Sequence, residues 1–288
     1  MKKNWLIILI VAGIISGGSA LIFCDKIKTQ KIESKSEAKI HSAYSQIVEL
    51  YGNLNVEPQS GPDQKIGGIS SHHFFVTNKI ASFMAGLKSI DPATIVILGP
   101  NHFGAGSQDI LISGYDYETP WGTLENDKNI GSRLINSGSA FNEEEPFERE
   151  HSISTLVGFI KYYLPQTKIV PIIFKLNTPQ VKADKLADEL IKNLDDDSFV
   201  LASVDFSHHV NRQTAIDQDK ESIKAIENFD LEKIYSLKLD SPASIYVLLK
   251  YLEAKDAKQI EYKNTNAADL LGNPDYKDVT SYVFAYFN

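Results

Sequence analysis

Short apolar runs of strand type alternate with amphipathic segments along most of this chain, and this alternation constrains the fold most strongly. Between 65 and 288 the strand-like runs are KIGGIS, TIVILGP, DILISGY, KIVPIIF, SFVLASVDF, QIEYK and VTSYVFAYF. Segments such as REHSISTLVGFIKYYL and VKADKLADELIKNL have apolar residues at helical spacing, and 212–227 and 241–254 also predict helices. The alternation predicts an α/β domain with a mainly parallel or mixed central sheet and helices on both faces.

The first 24 residues, MKKNWLIILIVAGIISGGSALIFC, carry two lysines and then no further charge. An apolar run of this length is about what a helix needs to cross a bilayer, so we expect a transmembrane anchor at 1–24. Cleavage as a signal peptide at Gly18-Ser19-Ala20 is the alternative. The lysines before the run predict a single-pass membrane protein with its main domain outside the cytoplasm, or a secreted protein after cleavage.

Residues 25–64 are expected to connect that segment to the main domain. The stretch up to 39 is polar and charged, which is typical of a solvated spacer. IHSAYSQIVELYG, from 40 to 52, has apolar residues at helical spacing and predicts an amphipathic helix. Prolines and a glycine in NVEPQSGPDQ then mark a linker, so the predicted domain begins at 65 and runs to 288.

Charge and cysteine content exclude several classes of function. The formal net charge of -8, without a stripe rich in lysine and arginine, argues against a nucleic-acid partner. The single cysteine, Cys24, excludes an intramolecular disulfide and a cysteine-based zinc site in the main domain. G-x-S-x-G, H-E-x-x-H, a Walker loop and a dinucleotide glycine fingerprint are all missing from the sequence.

Six of the seven histidines lie at four predicted boundaries between strands and helices, in SSHHFF, GPNHFG, REHS and SVDFSHH. The polar residues of these segments are His72, His73, Asn101, His102, Glu150, His151, Asp205, His208 and His209. Each of them alone has an ordinary explanation, such as capping a helix or a turn. Because the carboxyl ends of parallel strands share one edge of a sheet, we expect the groups to converge in one pocket. Imidazole is both the commonest metal ligand and an acid or base at neutral pH, and Asp205 or Glu150 could orient it.

Six ordered motifs over 67–288 resemble those of the Memo family, whose prokaryotic members are often called AmmeMemoRadiSam system protein B. The motifs are GGISSHH, VILGPNHFG, YETPWGTLEND, EREHSISTLVGFI with VPIIF, LASVDFSHH and VTSYVFAYF. The resemblance implies a fold similar to that of class III extradiol dioxygenases, which open catechol rings with non-haem Fe(II). Those enzymes hold iron with two histidines and a carboxylate, a set that leaves positions open for substrate and oxygen.

The resemblance also implies roles for single residues. His72 and His102 match the first two metal-site histidines, and His208, which shares its motif with Asp205, matches the acid/base histidine of the dioxygenases. We therefore expect His208 and Asp205 to be catalytic. Glu150 and His151 fall on the family's EHS motif, which lines the same pocket, and we expect His73, Asn101 and His209 to line it as well.

The third metal position departs from the animal members of the family, which have a cysteine in a Cys-Gly segment. Aligning on IYVLL in KLDSPASIYVLLKYL puts Asp240 at that position, where it would complete a two-histidine, one-carboxylate set with His72 and His102. Asp240 could instead cap the helix over 241–254, with Pro242 in its first turn. A carboxylate favours Fe(II), Zn(II) or Mn(II) over copper(I).

The resemblance thus implies a membrane-anchored protein with a metal-binding pocket and, if it is an enzyme, dioxygenase-type oxidation. The expected cofactor is a divalent metal, Fe(II) first, and the expected partner is a small molecule or a peptide. Because a fold does not determine a function, a non-catalytic binding module and a metal-dependent hydrolase stay open as alternatives.

Overall fold

An eight-stranded mixed sheet forms the centre of the fold, in a computed structural model that describes residues 40–257 and 260–288. The strands of this part of the chain are β1 (Ile40–Ser42), β2 (Gly67–Ser70), β3 (Thr94–Pro100), β4 (Ile110–Ile112), β5 (Asp116–Thr119), β6 (Gly122–Leu124), β7 (Phe141–Asn142), β8 (Lys168–Phe174), β9 (Ser198–Ser203), β10 (Ile260–Asn266) and β11 (Ser281–Phe287). The order in the large sheet is β10-β11-β2-β9-β3-β8-β4-β7. The central strands β2, β9, β3 and β8 are parallel, whereas β11 and β4 run antiparallel to β2 and β8.

Helices cover both faces of this sheet. They are α1 (Thr77–Gly86), α2 (Lys128–Ser137), α3 (His151–Tyr163), α4 (Gln180–Asn193), α5 (Arg212–Glu227), α6 (Leu231–Ile234), α7 (Pro242–Ala254) and α8 (Ala267–Leu270). Successive side chains of a strand point to opposite faces, so β3 contributes to two apolar layers. Val96 and Leu98 pack in the layer that contains α2, α4 and α7, and Ile95 and Ile97 pack in the layer of α1 and α3. The predicted α/β architecture with a mixed sheet is confirmed.

The helix predicted from 40 onwards is wrong. Ile40–Ser42 is a strand that pairs in parallel with β5, and Val48–Tyr51 is one short 3-10 turn. Tyr51 is fully buried and lies where any side chain at Gly158 would collide with its ring, whereas Ile47 is 56% exposed. Pairing with β5 and this ring contact outweigh the local helical pattern, and the stretch belongs to the compact unit Ala38–Asn288.

The predicted membrane location is also corrected. Within 40–257 and 260–288 every helix is too short or too polar to cross a membrane. This finding contradicts the predicted single-pass location, and nothing in 40–257 and 260–288 supports an N-terminal membrane helix. Residues 1–24, from which the anchor or signal segment was predicted, lie outside the described residues.

Candidate metal centre

Three neighbouring parallel strands end at one edge of the sheet, and each is followed by a polar residue of the candidate site. His72 comes after β2, Asp205 after β9 and His102 after β3, and these strands lie side by side in that order. The helix α3 begins at the same edge, at His151, with Glu150 as its N-cap. The strand topology therefore brings these groups together, as we expect from the sequence pattern.

Three imidazoles form one half of the cluster. The ring centroids of His102 and His151 lie 4.0 Å apart in a stacked arrangement, and that of His72 lies 5.2 Å from the first and 5.4 Å from the second. One ring nitrogen from each lies within 4.8 Å of the others. The side chain of His72 is 1% exposed, against 26% for His102 and 38% for His151, so the cluster opens to solvent beside the stacked pair.

Two carboxylates form the other half and share His72 with the first. Nε2 of His72 lies 3.3 Å from Oδ2 of Asp240 and 3.8 Å from Oδ2 of Asp205. The main chain ties the two acids together, because the Asp205 N–H donates to Asp240 Oδ2 at 3.0 Å and the Asp240 N–H donates to the Asp205 carbonyl at 3.2 Å. Asp240 does not cap α7; the N-cap is Ser241, whose side chain accepts from the N–H of Ser244.

Burial sets the electrostatics of this half. Burial, together with the nearby charge of Asp205, raises the pKa of Asp240 well above its ordinary value. Burial also raises the pKa of Asp205, against the hydrogen bond from the Ser71 hydroxyl. Burial and the charges of His102 and His151 hold the pKa of His72 well below its ordinary value. A neutral imidazole thus lies beside two closely spaced carboxyl groups. A bound cation would stabilise the ionised form of such carboxyl groups.

A buried carboxylate holds His102 in place. Oε1 of Glu150 lies 2.7 Å from His102 Nδ1 and also accepts the Ser152 N–H, and Oε2 accepts the His102 N–H at 2.8 Å. Burial alone raises the pKa of Glu150, but the hydrogen bonds and the charge from His102 together outweigh it and leave the pKa below its ordinary value. In many metal sites a carboxylate accepts a hydrogen bond from the ring nitrogen of a ligating histidine that does not bind the metal.

Serine hydroxyls that the sequence analysis did not single out complete the hydrogen bonding. The Ser71 hydroxyl donates to Asp205 Oδ1, and the Ser203 hydroxyl lies 3.1 Å from His72 Nδ1 and 2.6 Å from the Ser152 carbonyl. All three serines are fully buried. Their positions within two residues of His72, His151 and Asp205 are the one sequence signal that could have indicated them.

The other predicted pocket residues take different positions. His208 is half-buried; its burial lowers its pKa and the charge of Asp205 opposes that shift. His73 is exposed, and its Nδ1 accepts the Phe75 N–H and caps a short 3-10 turn. Asn101 binds the main chain of Ala105 through both ends of its amide and so shapes its own loop.

His209 is the one predicted pocket residue that the structure clearly separates from the cluster. Its side chain is 79% exposed, and Nδ1 lies 2.6 Å from Asp278 Oδ1. The backbone at this residue has a positive φ of 54°.

The donor set fits a divalent cation. Oδ1 of Asp240 is buried and finds no hydrogen-bond partner among the described residues, although its neighbour Oδ2 has one. A buried carboxylate oxygen without a partner is costly, and a metal ion would satisfy it. Imidazole nitrogens and carboxylate oxygens are ligands that Fe(II), Zn(II) and Mn(II) accept.

Known proteins resemble this chain in sequence. The family described as "Memo-like protein" matches residues 37–282. A MEMO1 family protein of Saccharolobus islandicus is 32% identical over 151 residues, which are 51% of this chain and 53% of that protein. A MEMO1 family protein of Caldivirga maquilingensis is 33% identical over 52% of this chain and 54% of that protein. The chain thus matches about half the length of these relatives.

Another relative matches over a greater length, and a solved structure is also similar. A MEMO1 family protein of Saccharolobus solfataricus is 29% identical over 208 residues, which are 68% of this chain and 72% of that protein. The crystal structure of uncharacterized protein JW3007 from Escherichia coli K12 is similar with a TM-score of 0.48 at 13% identity, over 77% of this chain and 99% of that one. The family match spans most of the sequence, including every residue of the candidate metal site, and the chain therefore belongs to the Memo family.

Proposed function

We propose that this chain binds a divalent metal ion, Fe(II), in the cluster around His72 and uses it in dioxygenase-type oxidation of a small molecule. The observation that carries the proposal is the convergence of His72 Nε2 with the carboxylates of Asp205 and Asp240, one of whose oxygens has no partner among the described residues. Burial of such groups without a cation is unfavourable.

The proposed ligands are His72, His102 and Asp240. His72 belongs to both groups of potential ligands. His102 comes from the group of three imidazoles, and Asp240 comes from the group that contains the two carboxylates. His102 is supported by Glu150, and Asp240 has an oxygen available. A metal held by two histidines and a carboxylate keeps positions open for a substrate and for oxygen.

His208 is the proposed acid/base. Its imidazole is half-buried, interacts with the charge of Asp205 and has a pKa lowered by burial. An imidazole that is neutral near pH 7 can accept the proton of a substrate hydroxyl and return it later. Asp205 is tied to Ser71 and Asp240 and acts as the positioning residue for this histidine.

Oxygen uptake tests the proposal. Full-length chain loaded with Fe(II) without air is mixed with catechol or 3,4-dihydroxybenzoate in aerated buffer, beside His208→Ala and the matched variant His209→Ala. We expect uptake by the parent and by His209→Ala, and a loss of about 100-fold or more in His208→Ala, as for removal of an acid/base group.

The other outcomes identify the rival functions. Metal binding without oxygen uptake, with ligand affinity unchanged in His208→Ala, would favour a non-catalytic module for a small molecule or a peptide. Ester hydrolysis by the Zn(II)-loaded chain without oxygen would favour a metal-dependent hydrolase. A parent chain that binds none of these metals would overturn the proposal.

A further inference from the structure

We propose that Ser203 is a positioning residue that fixes the proton of His72 on Nδ1, so that the free electron pair of Nε2 faces Asp205 and Asp240. The expected effect on metal affinity rests on the proposed function, whereas the position of the proton does not.

The direction of two hydrogen bonds carries the inference. The Ser203 Oγ lies 2.6 Å from the main-chain carbonyl oxygen of Ser152, which can only accept. A serine hydroxyl has one proton, so this bond uses it. The same Oγ lies 3.1 Å from His72 Nδ1 and can only accept there, so Nδ1 carries a proton. In a neutral imidazole the other nitrogen then has none.

Burial protects these hydrogen bonds from competition by water. Ser203 and Ser152 are fully buried, and His72 is 1% exposed. Ser203 is the last residue of β9 and pairs with Ser70 of β2, two residues before His72. The register of two central strands therefore places the hydroxyl beside the imidazole.

The first turn of α3 serves both metal-site histidines. Glu150 accepts from Nδ1 of His102, and the Ser152 carbonyl, through Ser203, orients Nδ1 of His72. The Ser152 hydroxyl also donates to the Pro100 carbonyl at the end of β3, two residues before His102. Both imidazoles consequently present Nε2 to the cluster, which makes the centre a site for Nε2 ligation.

Nitrogen NMR of the full-length chain with ¹⁵N-labelled histidine tests the proton position directly, with the His72 signal assigned through His72→Gln. At a pH where His72 is neutral, the metal-free parent should show the proton on Nδ1. Ser203→Ala should shift the signal towards the Nε2–H form, because that tautomer can donate to Asp240 Oδ2. Ser203→Thr keeps the hydroxyl and should keep the parent signal.

Calorimetric Zn(II) titration gives the functional arm. Ser203→Ala should bind about 10- to 100-fold more weakly, which is the usual effect of removing a partner of a ligating histidine. Ser203→Thr should stay close to the parent, as should Ser198→Ala, which removes a buried hydroxyl at the other end of β9.

The NMR and calorimetry experiments distinguish failure of this inference from failure of the proposed function. A parent His72 signal of the Nε2–H form would overturn the inference even if Ser203→Ala did not fold. An unchanged signal in a folded Ser203→Ala would overturn it as well. If the parent has the proton on Nδ1 and Ser203→Ala shifts it, but no metal binds, the inference stands and the proposed function fails.

Discussion

Nδ1 of His102 lies 2.7 Å from Oε1 of Glu150, and the other oxygen of that carboxylate accepts the main-chain N–H of His102 at 2.8 Å. One buried carboxylate thus fixes both the ring and the backbone of the residue that follows strand β3 by two positions. The carboxylate therefore holds the polar turn that follows Gly99 and Pro100 against the N-terminus of α3.

Glu150→Gln should weaken metal binding while the chain stays folded. The amide still accepts through its oxygen but has lost the charge that supports the imidazole, so we expect affinity to fall about 10- to 100-fold. Zn(II) calorimetry measures the change, with circular dichroism as the check on folding. The exposed neighbour Glu148 provides the matched control, and equal losses in Glu148→Gln and Glu150→Gln would contradict the specific role of the buried carboxylate.

Gly99→Ala should destabilise the chain and disturb the site together. A Cβ at this position would lie 2.6 Å from Oγ and 2.9 Å from Cβ of Ser152, closer than side chains approach. Relieving that overlap moves the start of α3, and overpacking of this kind typically costs about 1–3 kcal/mol. Urea unfolding and Zn(II) affinity are the two measurements.

Gly114→Ala is the control for that variant. The nearest atoms to a Cβ there lie at 3.7 Å, so the substitution has room. Unchanged stability and affinity in Gly99→Ala would show that α3 does not need the close approach of β3.

Glu144 should make stability depend on pH through its contact with His41. Its carboxylate accepts from His41 Nε2 at 3.0 Å, Ser113 Oγ at 2.6 Å and the Gly114 N–H at 2.9 Å. Burial alone raises the pKa of Glu144, but these bonds lower it below its ordinary value. The unfolded chain therefore binds the proton first as pH falls, so this stabilisation is complete above about pH 4.3 and is lost below it, through the folded-state pKa.

Urea unfolding of the parent and Glu144→Gln between about pH 6 and pH 3 measures this effect, since glutamine cannot titrate. The stability difference between the two should shrink as pH falls. Glu221→Gln, at an exposed position on α5, should differ from the parent by a small and nearly constant amount. A constant difference for Glu144→Gln over the whole range would contradict the assignment.

The sequence allowed the central architecture to be predicted because burial on both faces leaves a continuous apolar run. β3 and β9 are buried at every residue. Apolar runs of this kind with amphipathic helices between them commonly form a parallel sheet that is covered by helices on both faces. A helix was wrongly predicted from 40 onwards for the opposite reason. The apolar residues of this segment are divided between a strand pair, a buried ring and the surface.

The candidate site could be predicted as far as strand ends define it. His72, His102 and Asp205 follow adjacent parallel strands, and topology alone brings them together. His209 could not be separated from His208 in the sequence, since the two histidines are adjacent and the contact of His209 with Asp278 is long-range. The contact of Ser203 with His72 depends on strand register, which no local pattern encodes.

Anaerobic Fe(II) titration of the full-length chain, beside Asp240→Ala and the exposed-site control Asp275→Ala, tests the central claim most directly. We predict one ion bound per chain in the parent and in Asp275→Ala. In Asp240→Ala the affinity should fall by more than about 100-fold, because losing a ligand costs more than losing a partner of a ligand. Equal binding by the parent and Asp240→Ala, or no binding by the parent, would contradict a metal centre built on His72, His102 and Asp240.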